Sequence, residues 1–191
     1  IQRLEDIRHA LSALRANDGQ EFSALTVVSV RGMGELLVED SEELTRLCEL
    51  LGEYSSKLPT QTFSLVFRGE WDFYEEQKPD CYQASVVASL IHEIPNQLKK
   101  LEFFKIMLAG DSRSLAEALQ QEQQSLESLS LHLDNAEMPS SSLHAMVHCF
   151  APFPNLKTIH CYFGGMVVSD DILMVVEALV CVTALEKLAL H

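Results

Sequence analysis

Apolar residues recur along the chain at positions i, i+3 and i+5 of short segments, a spacing first evident in "SLESLSLHLDN" at residues 125–135. There the pattern falls on Leu126, Leu129 and Leu131, and a polar turn follows. The spacing returns at a near-constant period, with starts near residues 25, 62, 98, 126, 156 and 185. It predicts parallel strands that pair in sequence order, near residues 25–31, 62–68, 98–104, 126–132, 156–162 and 185–190.

Segments with helical periodicity separate these strands. The pairs Asp40/Glu43 and Ser114/Glu117 have the spacing of capping boxes at helix starts. Pro79 suits the first turn of a helix that ends at Pro95, because proline is tolerated in a first turn. We therefore predict helices over 40–54, 79–94, 112–121, 139–150 and 169–182, with a leading helix over 1–17. The helix over 169–182 is apolar nearly all round, which indicates neighbours on several sides.

The order of strand, loop and helix at about 29 residues resembles the leucine-rich repeat family, in particular its ribonuclease-inhibitor-like subclass. Two stretches carry the resemblance best, "LAEALQQEQQSLESLSLHLDN" and "VSDDILMVVEALVCVTALEKLALH". The resemblance implies an α/β fold in which residues 1–191 form one solenoid fragment. This would be a right-handed β-α superhelix of about six strand–helix repeats, with a parallel sheet on its concave face.

One feature departs from the family pattern. The family places asparagine or cysteine at i+8, where its buried side chains satisfy loop backbone groups. The residues found there are Met33, Glu70, Ile106, Asp134 and Gly164. We therefore expect less regular loops and a curvature that differs from that of the family.

The charge balance excludes some classes of partner. The chain carries 28 acidic and 14 basic residues, a formal net charge of −14. Nucleic acids and anionic lipids both require clustered lysine and arginine, so neither is an expected partner. The longest apolar stretch, residues 172–182, contains Glu177 and is too short to span a bilayer. The charged start "IQRLEDIRHA" is unlike a signal peptide and begins inside a helical pattern, so we expect a fragment of a longer protein.

The cysteines indicate a reducing compartment. Five cysteines are scattered singly among apolar neighbours, without a CxxC motif. A disulfide framework would be denser and even in number, so we predict free thiols and a cytoplasmic location. Cys161 should be buried by its repeat position, and Cys48 and Cys181 by their helical faces.

The motifs that could carry chemistry are weak. Gly32 and Gly34 are spaced like the first two glycines of a dinucleotide loop, but a turn explains them better. His144, His148 and Cys149 have a spacing that can hold zinc, yet no further acidic ligand supports such a site. With no nucleophile-elbow, zinc-protease or P-loop motif, we predict a protein that is not an enzyme and uses no cofactor or metal.

The sequence thus favours a non-catalytic scaffold for protein–protein interaction. One alternative is a parallel-sheet α/β enzyme, whose site would lie at the strand C-termini. Another is an adaptor or receptor segment whose function lies in flanking domains.

Two groups of residues are candidates for binding a protein partner. Position i+6 of each repeat, which we call the i+6 stripe, contains two arginines, two aromatic residues, two histidines and no acid. Its residues are Arg31, Arg68, Phe104, His132, Tyr162 and His191. Such a stripe suits an acidic or aromatic-bearing polypeptide, and its histidines would tighten the binding of an acidic ligand below roughly pH 6.5. The alternative is the rim loop "GEWDFYEE", which carries Trp71, Phe73 and Tyr74.

A further contact is expected at the C-terminal edge. Leu188 and Leu190 belong to the inward series of the last strand, and no later repeat in the sequence covers them. We expect flanking repeats or self-association there, since an uncovered apolar strand edge favours association.

Overall fold

The computed structural model describes residues 25–28, 41–57, 63–68, 81–104, 107–122, 124–134, 153–164 and 169–190. These residues form an α/β fold in which every strand pair is parallel. The strands are β1 (Leu25–Val28), β2 (Phe63–Arg68), β3 (Cys81–Gln83), β4 (Leu98–Phe104), β5 (Met107–Ala109), β6 (Ser128–Asp134), β7 (Thr158–Gly164) and β8 (Lys187–Leu190). The helices are α1 (Glu42–Lys57), α2 (Ala84–His92), α3 (Arg113–Gln121) and α4 (Ser169–Val180).

All six predicted strands are present, and they pair in the predicted order. The pairs are β1 with β2, β2 with β4, β4 with β6, β6 with β7, and β7 with β8. From β2 to β8 the register aligns equivalent repeat positions; for example, Leu129 lies opposite Leu101 and Ile159. Strand β1 is offset by three residues, with Leu25 opposite Leu65, so the predicted alignment of the first repeat was wrong. The pairing that would have contradicted this order, between the first strand and the strand near 126–132, does not occur in the described residues.

Two short strands were not predicted. β3 and β5 pair with each other, and Leu108 of β5 pairs with Leu133 near the end of β6. Each short strand leads into a helix, β3 directly into α2 and β5 through a short turn into α3. Gly110 makes that turn at a φ of +78°, and a Cβ there would meet the end of the Gln83 side chain. The positive φ favours glycine at this turn.

One hydrophobic core lies between the sheet and the helices. Positions i, i+3 and i+5 are buried in the repeats that start at 98, 126 and 156. At i+5, the rings of Phe67 and Phe103 stack with their centroids 4.9 Å apart, and Tyr82 of β3 lies 5.4 Å from Phe67. Helices α2 and α3 turn a continuous apolar face toward this core, which explains why short helices of nine residues are stable here.

The helix starts differ from the predicted capping boxes. Helix α1 is capped by Ser41, whose Oγ accepts the Leu44 N–H at 3.1 Å, rather than by Asp40. Helix α3 begins at Arg113, which places Ser114 inside the helix and leaves its Oγ without a hydrogen-bond partner in the described part of the chain. Asp111 instead accepts the Arg113 N–H at 3.0 Å. The second capping box was therefore wrong, because the helix begins before Ser114 and Asp111 accepts the N–H of its first residue.

Two further helix predictions need correction. Pro79 cannot occupy the first turn of α2, because β3 lies between residue 79 and the helix start at Ala84. Helix α4 has fewer neighbours than predicted, since Leu173, Val176 and Val180 are exposed, Val180 at 79%. The predicted helices over 1–17 and 139–150 lie outside the described residues.

Candidate protein-binding face

The face of the sheet opposite the core is built from alternate strand positions. Because side chains alternate between the two faces of a strand, positions i+2 and i+4 turn away from the buried i+3 and i+5. We call this surface the open face. Its i+2 column contains Ser64, Lys100, Ser128, Thr158 and Lys187, which lie opposite one another in register.

The i+4 column runs beside it and is less exposed. It contains Val66, Glu102, Ser130, His160 and Ala189, again in register. Val66 and Ser130 are buried, whereas Glu102 and His160 are part-exposed. The Nε2 atom of His160 is buried and has no hydrogen-bond partner within the described ranges. This column therefore offers less side-chain surface to a partner than the i+2 column does.

The backbone register brings members of the i+6 stripe together. Arg68 lies opposite Phe104 on β2 and β4, and His132 lies opposite Tyr162 on β6 and β7. Arg31 and His191 lie outside the described residues, as do Trp71, Phe73 and Tyr74 of the rim loop. The stripe thus remains a prediction, with the backbones of two of its neighbouring pairs in register. Its first step does not hold, because Val28 of β1 and not the i+6 residue of that repeat lies opposite Arg68.

Glu102 is the one acid in the described part of these two columns, and it forms an ion pair with a lysine. Its Oε1 lies 2.8 Å from Lys100 Nζ, and both side chains are part-exposed. Pairs with this exposure contribute little to stability, so the contact chiefly fixes where the Lys100 ammonium lies. The other lysine of the i+2 column, Lys187, is exposed on β8.

A column of alternating charge marks the N-terminal edge of the sheet. Position i+1 carries Lys99, Glu127, Lys157 and Glu186 in the last four repeats. The Glu127 carboxylate lies 3.4 Å from Lys99 Nζ and 3.8 Å from Lys157 Nζ, so one acid joins two neighbouring repeats. Backbone hydrogen bonds follow the same path, from Glu127 N–H to Lys99 O and from Lys157 N–H to Glu127 O. We call this column the charge ladder.

Glu122 is a buried carboxylate that the sequence reasoning missed. It follows α3 and has no exposed surface. It accepts the Asn96 N–H at 2.6 Å and the Leu98 N–H at 2.9 Å, and the Ser125 hydroxyl lies 3.0 Å from it. It thereby satisfies the backbone of the loop between α2 and β4, in which Asn96 adopts a positive φ of 58°. A side chain of one repeat thus holds the loop of the preceding repeat.

Burial and hydrogen bonding act in opposite directions on the pKa of Glu122. Desolvation raises the pKa of its carboxyl above the ordinary value, while the N–H groups of Leu98 and Asn96 and the Ser125 hydroxyl oppose that rise. The position of Glu122 in the sequence could have indicated this role. An acid at the C-terminus of a helix interacts unfavourably with the helix macrodipole, so an acid there indicates that nearby hydrogen-bond donors compensate for it.

The thiols agree only in part with their predicted burial. Cys161 is buried and free, as predicted, and burial raises its pKa to about 12. Cys48 is half-buried and free, and desolvation together with Glu93 raises its pKa to about 11. Cys181 is free but exposed, so its predicted burial was wrong. It follows the last residue of α4, where its Sγ lies 3.8 Å from Glu177 O.

The C-terminal edge exposes apolar side chains on both layers. Leu188 and Leu190 of β8 are 43% and 36% exposed. Leu173, Val176 and Val180 of α4 are exposed as well. In the described part of the chain β8 pairs with β7 alone, so one row of its backbone groups has no strand partner there.

Other candidate chemistry is limited. Among the described residues, no group of three or more histidine, cysteine, aspartate or glutamate side chains could hold a metal ion. The predicted glycine turn at 32–34 and the histidine–cysteine set at 144–149 lie outside those residues. No helix within the described ranges combines the length and apolar character needed to cross a membrane. Comparison with protein-family models and with curated protein sequences gave no match.

Proposed function

We propose that this chain forms a leucine-rich-repeat solenoid that serves as a non-catalytic scaffold for protein–protein interaction in the cytoplasm. The observation that carries the proposal is the strand order. Five consecutive parallel pairings join the six repeat strands, and in the four pairings from β2 to β8 equivalent positions are in register. A sheet built this way presents long columns of side chains on one face, the arrangement that repeat proteins use to bind extended partners.

The strand order also speaks against the enzyme alternative. A doubly wound enzyme places its site where the strand order reverses. The six repeat strands contain no such reversal in the described residues, and only the short β3 and β5 branch from their path. The buried i, i+3 and i+5 positions further support a stack of repeats that share one core.

The exposed edge fits the same proposal. Each inner repeat is covered by a neighbour, whereas Leu188 and Leu190 retain exposed apolar surface. Either a flanking repeat or a second molecule would bury it. An adaptor or receptor that contains this segment would use the open face in the same manner.

Site-specific photocrosslinking tests the proposed binding face. A photoreactive benzoylphenylalanine is introduced at Ser128, Thr158 or, as the control, Glu117, which is exposed on α3. We expect the same protein adduct from Ser128 and Thr158 after irradiation in cytoplasmic extract, and none from Glu117. A fourth variant at Trp71 tests the rim loop. Adducts from the Trp71 variant alone would place the binding site in the rim loop instead. Adducts from the Glu117 variant alone would refute binding at the open face.

A further inference from the structure

Charges are distributed unevenly over this molecule. Acids outnumber bases two to one in the whole chain, 28 to 14. On the open face and the i+6 stripe the ratio is reversed. The cations at described positions there are Lys100, Lys187 and Arg68, and the acid is Glu102. If the net charge of −14 were spread evenly over the surface, acids would outnumber bases on the sheet as well.

The remaining open-face positions supply hydrogen-bonding groups rather than acids. Ser64, Ser128 and Thr158 occupy the i+2 column between and beside the two lysines, and each is part-exposed. A hydroxyl both donates and accepts hydrogen bonds, so it can pair with carboxylates and with the backbone of a bound chain. The i+2 column therefore combines positive charge with hydroxyl groups along one line.

We infer that the open face binds an acidic, extended polypeptide segment that crosses the strands along the i+2 column. The inference rests on the proposed scaffold function and names the class of partner. Charge complementarity supports it, because a carboxylate that approaches Lys187 or Arg68 meets attraction locally within an otherwise repulsive molecule.

The distance between strands determines how far apart the acidic residues of the bound segment should be. Lys100 and Lys187 are separated by three strand-to-strand steps, from β4 through β6 and β7 to β8. At about 4.8 Å per step, their backbones lie about 14 Å apart. An extended chain rises about 3.4 Å per residue, so carboxylates about four residues apart would meet both lysines.

Glu102 acts against such a ligand. It lies 2.8 Å from Lys100 Nζ and occupies the position that an incoming carboxylate would take. Replacing it with glutamine keeps the shape of the side chain, removes the negative charge and leaves Lys100 available. The inference thus requires one substitution that strengthens binding as well as others that weaken it.

Fluorescence anisotropy at low salt tests the inference directly. The probe is a fluorescein-labelled Ser/Gly peptide with glutamates four residues apart, compared with its lysine counterpart and a single-stranded oligonucleotide. We expect the acidic peptide to bind, E102Q to bind it roughly threefold more tightly, and K187E and R68E to bind it roughly threefold to tenfold more weakly. Added salt should weaken each of these interactions.

Arg113→Glu is the matched control for net charge. Arg113 is exposed at the start of α3, away from the sheet, and its reversal changes the charge as much as K187E does. Equal weakening by R113E and K187E, tighter binding of the oligonucleotide, or no effect of E102Q would each overturn the inference. If photocrosslinking identifies an open-face partner while the acidic peptide does not bind, the partner class is wrong and the scaffold function stands.

Discussion

Leu129 and Leu188 occupy the same i+3 position of their repeats and have the same side chain, yet their surroundings differ completely. Leu129 is fully buried on β6, which has β4 on one side and β7 on the other. Leu188 is 43% exposed on β8, which pairs with β7 alone in the described residues. The repeat position decides which way a side chain points, but a neighbouring repeat on each side decides whether it is buried.

The cysteines provide the largest expected difference between interior and edge. Cys161 is buried between neighbouring strands with a pKa of about 12, whereas Cys181 is exposed after α4. At pH 8 a thiol with that pKa is ionised in only about one molecule in ten thousand, and only the thiolate reacts. We expect maleimide alkylation of Cys161 to be slower than that of Cys181 by about a thousandfold or more, as measured by peptide mass spectrometry. Comparable rates in the native protein would show that β7 is not an interior strand.

Truncation of the two leucines compares their contributions to stability directly. Leu129→Ala removes fully buried methyl groups and should lower the free energy of unfolding by about 2–5 kcal/mol, measured by urea denaturation. Leu188→Ala should cost about 1 kcal/mol or less, because much of its side chain is already in water. Equal losses would mean that β8 is covered in solution.

Substitution of Glu122 tests whether its hydrogen bonds to the loop of the preceding repeat stabilise the fold. We call these hydrogen bonds the Glu122 clamp. A glutamine side chain at this position could still accept one N–H, but its NH₂ group would face donors rather than acceptors. Glu122→Gln should therefore lower the free energy of unfolding by about 1–3 kcal/mol. The control is Glu117→Gln on the exposed face of α3, which should change it by no more than about 0.5 kcal/mol. If the two variants are equally stable, the clamp contributes nothing.

The same carboxylate should make the cost of that substitution depend on pH. Burial raises the pKa of Glu122 in the folded protein, so ionisation is less favourable there than in the unfolded chain. The stability associated with its neutral form is fully present below its ordinary value of 4.5 and is lost as the pH rises through the folded pKa. The cost of E122Q should therefore be largest at low pH and smaller at neutral pH. A cost that grows as the pH rises from 4.5 would mean that the hydrogen bonds outweigh burial.

Self-association at the C-terminal edge should show the smallest energetic effect. Val180→Lys places a charge on an exposed apolar position of α4 and should weaken any association of the protein with itself. Gln120→Lys adds the same charge on the exposed face of α3 and serves as the control. Sedimentation velocity over a range of concentrations measures the difference. If both variants associate as the wild type does, the edge is not the contact.

The sequence predicted the repeating strands well because their signal is redundant. Three apolar positions at fixed spacing recur six times, and the strand Leu98–Phe104 matches its predicted bounds. The short strands β3 and β5 had no such signal, since a three-residue strand contains too few positions to show a period.

The apolar spacing did not predict which side chains are buried at the C-terminal edge. The apolar residues of α4 predicted contacts on several sides, and the predicted helix over 169–182, which placed Cys181 on a helical face, is two residues longer than α4. The Glu122 clamp depends on a loop in the preceding repeat, 24 to 26 residues earlier in sequence. A pattern within one repeat does not reveal contacts made between repeats.

The charge ladder has a consequence for the duplication or insertion of repeats. Lys99, Glu127, Lys157 and Glu186 alternate in sign from one repeat to the next. Duplicating a single repeat would place two like charges side by side, whereas duplicating two together would preserve the alternation. Each exposed pair contributes about 0.2–1 kcal/mol, so the penalty for one event is small but recurs at every such event. This parity predicts that an engineered insertion of two repeats costs less stability at the ladder than an insertion of one.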